Sequence, residues 1–255
     1  MFRTLRIVVL LFILATVAQG AWLARVRTVE WRETVRVVIY PINGDGSGVS
    51  EAYIRGLAQE TFRPVEEFMN QEARRYGLGL AQPVEVRVAP RVEAIPPAPP
   101  RDAGIPGAVV WSLRMRYFAW ANDTYRGPRP QVRMFVLYFD PARHPRLAHS
   151  AGLQKGLIGR VNAFGDAAQE GSNNVVIAHE LLHTFGATDK YDFANNRPVH
   201  PYGYAEPART PLYPQRFAEI MAGRIPLSET RSEIPRSLEE TLIGALTALE
   251  INWAK

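Results

Sequence analysis

Hydrophobic and polar positions follow two rhythms along this chain, one repeating every second residue and one every third to fourth. The shorter rhythm predicts strands. Val35 to Ile39 crowds β-branched residues ahead of Pro41, and the turn-forming string Asn43-Gly44-Asp45-Gly46 ends it. Val84, Val86 and Val88 alternate with Glu85 and Arg87, the pattern of a half-buried strand. Met134 to Phe139 is almost wholly apolar and predicts a central strand covered on both faces. Ile158 to Phe164 mixes apolar residues with Gly159, Arg160 and Asn162, which suits an edge strand.

The longer rhythm predicts helices. Ile54, Leu57, Ala58, Thr61, Val65, Phe68 and Met69 fall at helical spacing, with Pro64 expected to kink or divide the helix. Ala108 to Asn122 places Trp111, Met115 and Phe118 on one side of a further helix. Ser172-Asn173-Asn174 reads as an N-cap before a helix packed through Val176, Ile177, Leu181, Leu182 and Phe185, with Gly186 as its stop. After Pro235, Ser237 and Glu240 form a capping-box pattern ahead of a stripe of Leu238, Leu242, Ala245, Leu246 and Leu249. Between these helices, Ile95 to Pro106 is a proline-rich loop and 195–215 has no periodicity. The fold class predicted is α+β, a twisted mixed β-sheet with packed helices.

Composition narrows the chemistry. The chain has 255 residues and no cysteine, which excludes disulfides, thiolate ligands and a cysteine nucleophile. Its formal charge is +5, yet the arginines are scattered and no dense basic run tracks a phosphate backbone, so no nucleic-acid partner is expected. At the start, Arg3 and Arg6 precede an apolar or neutral run from Ile7 to Val17, and Ala18-Gln19-Gly20 resembles a small-x-small cleavage site. Residues 1–20 therefore read as a signal peptide, with retention as a membrane anchor over residues 5–23 the competing reading. Either places residues 21–255, a single domain, outside the cytoplasm, secreted or periplasmic, or held at the membrane by the N-terminal segment.

The densest chemistry lies in His179-Glu180-Leu181-Leu182-His183-Thr184-Phe185-Gly186-Ala187-Thr188-Asp189. Histidines four apart on a helix project from one face, close enough for both imidazoles to reach one metal ion. Glu180, between them, sits beside such an ion without needing to bind it. Gly186 lets the chain leave the helix, and Asp189 supplies a third ligand. Downstream, Glu219-Ile220-Met221-Ala222-Gly223 is a compact, turn-like string.

This combination resembles the metzincin clan of zinc metalloproteases, whose pattern is H-E-x-x-H-x-x-G-x-x-H with a downstream Met-turn. Aspartate replaces the third histidine here, as in snapalysin-type members. The resemblance implies one catalytic Zn²⁺ held by His179, His183 and Asp189. It also implies Glu180 as general base, Gly186 and Met221 as structural residues near the metal, and a peptide or protein substrate. Three protein ligands leave one tetrahedral position for water, which Glu180 deprotonates for attack on a peptide carbonyl. The strand Ile158 to Phe164, through Ile158, Val161 and Ala163, is the expected holder of an extended substrate. Two other functions use the same residues: a non-catalytic, zinc-stabilised binding module, and a zinc amidase acting on a non-protein amide.

Other polar candidates are weaker. Glu219 or Glu206 is an alternative third ligand. Tyr191, Tyr202 and Tyr204 are potential oxyanion donors or zinc ligands with packing as their default, His200 is a surface histidine with substrate contact as its alternative, and His144 and His149 receive no role.

Overall fold

A computed structural model describes residues 29–100, 104–148, 150–153 and 157–254, together with Arg6, Ile7 and Leu11. His149 and, apart from those three positions, the N-terminal segment read as signal or anchor lie outside the described residues. Among the described residues no helix is long and apolar enough to cross a membrane.

The core is a five-stranded sheet in the order β2-β1-β3-β5-β4. Its strands are β1 (Val35–Asn43), β2 (Val84–Val88), β3 (Val132–Phe139), β4 (Ala151–Leu153) and β5 (Ile158–Phe164). All neighbouring pairs are parallel except β4 with β5. Helices alternate with the parallel strands: α1 (Gly48–Gly56), α2 (Arg63–Arg75), α3 (Gly104–Ala121), α4 (Glu170–Phe185) and, near the C-terminus, α5 (Ala245–Glu250). The result is a mixed α/β architecture, where the sequence pattern predicted α+β.

Strand periodicity separates two cores. Val35, Val37 and Ile39 of β1, Met134 and Val136 of β3, and Val161 and Ala163 of β5 face one side with Phe68 and Met69 of α2 and Leu181 and Phe185 of α4. Val38, Tyr40 and Ile42, with Phe135 and Leu137, face the other, where Met115, Phe118 and Ala119 of α3 cover them. β3, buried along nearly its whole length, is the central strand its apolar run predicts. Pro41 is accommodated in β1 because the β2 ladder has already ended at Ile39.

Several boundaries move. The long helix predicted around Ile54 to Met69 is two helices joined by a 3₁₀ turn over Gln59–Phe62, and Pro64 starts α2 instead of kinking it. Ser172-Asn173-Asn174 is not a cap, since α4 begins at Glu170. Asn173 instead exchanges two hydrogen bonds of 2.9 Å with the backbone of Phe164, and Asn174 donates to the Thr61 carbonyl at 2.8 Å. These amides fix the motif helix to β5 and to the turn before α2. The predicted C-terminal helix is broken: Leu238–Glu240 is a 3₁₀ turn, Thr241–Leu242 pairs with Ala218–Glu219, and Leu249 is exposed.

The edge-strand expectation for Ile158–Phe164 is overturned. β5 is bonded on both sides, to β3 and to β4, and Ile158, Val161 and Ala163 are buried. Its polar residues turn inward: Arg160 donates to Asn162 at 3.1 Å, and Asn162 donates to the Ala148 carbonyl at 3.0 Å. Internal bonds of this kind let an interior strand carry polar side chains, with Arg160 Nε the one buried atom of the pair left without a partner among the described residues.

Candidate metal site

α4 is helical through the motif, and Gly186 ends it with a φ of 114°. A residue with a Cβ is strained there, so glycine permits the tight exit. The exit brings Asp189 back over the last turn of the helix. Nε2 of His179 and Nε2 of His183 stand 3.1 Å apart, and Asp189 Oδ1 is 3.2 Å from each. Three donors about 2.0–2.2 Å from one tetrahedral ion stand about 3.3–3.6 Å apart, close to this triangle.

The imidazole orientations are set from behind. Nδ1 of His179 faces the Ile220 carbonyl at 2.9 Å, and Nδ1 of His183 faces the Ala187 carbonyl at 2.8 Å. A carbonyl only accepts, so each Nδ1 carries a proton, and in the neutral ring each Nε2 turns a lone pair toward Asp189. Asp189 Oδ1 is buried and accepts no aligned hydrogen bond. With both rings neutral, three electron-rich atoms at such separations repel one another unless a proton or a metal ion lies among them, so the donor set fits a bound cation.

The electrostatics agree. Burial alone would lower the His179 pKa, but Asp189, Glu180 and the Ile220 carbonyl more than offset it, raising it to about 9. Burial pushes the Asp189 carboxyl up, and the two imidazoles hold it well below the usual carboxylate range. The pocket thus favours positive charge at the imidazoles and negative charge at Asp189.

Glu180 lies within 4.8 Å of both imidazole donors and joins them as a candidate His-Glu-His metal-binding group on α4. Distance alone does not choose the third ligand. Asp189 approaches both nitrogens to 3.2 Å, and Glu180 lines the cavity beside them.

That cavity, about 360 Å³, is floored by His179, Glu180 and His183, roofed by Ser150, Ala151 and Gly152, and closed at the side by Asp189, Tyr191 and Phe193. The roof is β4. A Cβ on Gly152 would meet His183 Cβ at 2.6 Å and the Glu180 carbonyl at 2.8 Å, so only glycine lets the strand lie this low. Sequence reasoning missed Gly152 and Phe193, which carry no local signal. Tyr191, expected to pack, lines the cavity. Burial, with the charges of Asp189 and Glu180, raises its hydroxyl to about 12, so it is a protonated donor at neutral pH.

Met221 is fully buried in the core beneath the motif helix. Its turn is closed by Ala222 and Gly223 donating to the Glu219 carbonyl at 2.9 and 3.0 Å, and presents Ile220 O to His179. Glu219 is not a third ligand, because its carboxylate accepts from Ala222 N, Gly244 N and Thr247 Oγ1. Glu206 is engaged by Arg209 and Arg216. Tyr204 bonds Tyr213, Tyr202 is exposed, and His144 and His200 are likewise outside the cavity.

Behind Asp189 lies a clamp that carries no local sequence signal. Lys190, buried beside Asp189, donates to Glu250 of α5 at 2.7 Å and to the Thr188 carbonyl at 2.6 Å. Glu250 also accepts from Thr188 N at 2.9 Å and Thr188 Oγ1 at 2.6 Å. The loop carrying Asp189 is thereby clamped to the C-terminal helix. No family model and no curated protein matches the chain.

Proposed function

We propose that this chain is a zinc-dependent endopeptidase of the metzincin type, acting outside the cytoplasm on an extended peptide or protein substrate. The observation that carries the reading is the near-equilateral triangle of His179 Nε2, His183 Nε2 and Asp189 Oδ1, each imidazole held from behind by a backbone carbonyl. His179, His183 and Asp189 hold the ion, and Met221 belongs to the turn supporting His179. Zinc bound there supplies Lewis-acid polarisation of the scissile carbonyl and of a water molecule.

Glu180 accepts the proton of the attacking water and returns it to the leaving amine nitrogen, the two-way transfer that a carboxylate in the cavity can perform. Tyr191, protonated at neutral pH, donates a hydrogen bond toward charge developing in the cavity. β4 is the strand suited to align an extended substrate, since it is the sheet's terminal strand and roofs the cavity. This role replaces the one expected of Ile158, Val161 and Ala163. An N-terminal segment read as signal or anchor accords with action outside the cytoplasm.

Purified protein reconstituted with one equivalent of zinc is expected to cleave a mixed peptide library. Glu180→Gln is expected to keep its zinc by elemental analysis and lose about 10²–10⁴-fold in turnover. Wild-type protein that holds zinc and cuts no peptide would overturn the proposal.

A further inference from the structure

α3 has two apolar sides. One buries Met115, Phe118 and Ala119 against the sheet. The other leaves Val109, Val110, Leu113, Tyr117 and Trp120 exposed, Tyr117 and Trp120 at 68% and 76%. Positions 110, 113, 117 and 120 are spaced by three and four residues, so they form one stripe along the helix. The rings of Tyr117 and Trp120 sit 5.9 Å apart at its C-terminal end. From Gly104 to Asn122 the charged residues are Arg114 and Arg116, with no acid. Arg114 is exposed.

We propose that this face of α3 docks onto an anionic lipid bilayer. An apolar stripe with terminal Trp and Tyr beside arginine is the chemistry of a helix lying in the membrane interface. Charge decides among the occupants. A second copy docked through the same stripe by two-fold symmetry would bring its own exposed Arg114 to the interface, with no acid on either helix. The N-terminal segment of this chain, residues 1–28, contains four arginines and no acid, so it offers no complement either. An anionic lipid surface supplies both the apolar layer and the negative charge. This docking is independent of the peptidase reading.

The absence of cysteine gives a direct test, since Leu113→Cys is then the only thiol in the full chain. Nitrobenzoxadiazole attached there is read with vesicles of phosphatidylcholine alone and with one-third phosphatidylglycerol, using iodide as the aqueous quencher. Val49→Cys, exposed on α1, is the control. With phosphatidylglycerol, the label at position 113 is expected to shift its emission to the blue and lose about five-fold or more in quenching, while position 49 stays accessible. Arg114→Gln in the Leu113→Cys background should restore part of the quenching. Equal quenching at both positions on both vesicles overturns the proposal. So does shielding of position 113 that needs no lipid and grows with protein concentration, which would identify a second copy as occupant.

Discussion

The two ends of the central sheet are finished in opposite ways. At the β2 end, the outward backbone groups are taken by side chains from the preceding helical segment. Gln59 donates to Val86 O at 2.6 Å, Glu66 accepts from Val86 N at 2.7 Å, and Asn70 exchanges bonds of 3.0 and 3.1 Å with Val84 N and O. That end is closed to another strand. At the other end, β4 has three residues, pairs among the described residues with β5 alone, and hangs over the candidate metal-binding group. A sheet sealed at one border and ending above a cavity at the other leaves one place for the extended substrate proposed above.

The largest test of this contrast is Gly152→Val, since the added side chain would collide with His183 and the Glu180 backbone. Peptide turnover is expected to fall by about 100-fold, the scale of a small misplacement in a reacting geometry. Gly79→Ala, where a Cβ meets nothing, is expected to leave turnover unchanged. Undiminished kcat/KM in Gly152→Val would break the contrast.

Glu250→Gln probes the support behind the open end. Losing the carboxylate that joins Thr188 and Lys190 is expected to weaken zinc retention about 10-fold, measured by chelator competition, as removal of an outer partner of a ligand does. Equal retention would show that the Asp189 loop holds itself.

At the sealed end, Asn70→Ala is expected to cost about 2 kcal/mol of stability by unpairing Val84 N and O, with kcat/KM of the folded fraction unchanged. Denaturant titration beside turnover separates the two effects, and a fall in kcat/KM would show the ends to be coupled.

The smallest expected effect lies between the two ends. Burial pushes the Asp45 carboxyl up, but hydrogen bonds from Asp140 N, Ser47 and Ser50 outweigh it and lower it to about 2. Its contribution is therefore fully present above the unfolded value near 3.9 and is lost as pH falls through about 2. Asp45→Asn should flatten the acid limb of unfolding free energy against pH by an amount on the order of 1 kcal/mol. An unaltered limb would assign the acid sensitivity to other carboxylates.

Local spacing made much of this molecule legible. Two histidines one turn apart, a glycine where the helix must stop, and alternating valines need no distant partner to be read, because helix and strand geometry repeats over a few residues. The same local reading failed where a side chain bonds across the fold. Asn173 and Asn174 look like cap residues until Phe164 and Thr61 are beside them. Ser237 and Glu240 look like a capping box, but the segment they begin is claimed by pairing with Ala218–Glu219. Ile158–Phe164 looks like an edge because polar residues usually mark one, and in the fold Arg160 and Asn162 bond one another inside.

By itself, then, the sequence determined the donor types, their order on one helix face, the glycine exit and the strand-forming segments, all products of short-range backbone geometry. Only the tertiary structure decided that β4 and not β5 ends the sheet, that Asp189 closes on both imidazoles, and that Lys190 and Glu250 tie its loop to the last helix. Those outcomes depend on which distant segments come to lie against one another, and no short-range periodicity encodes that.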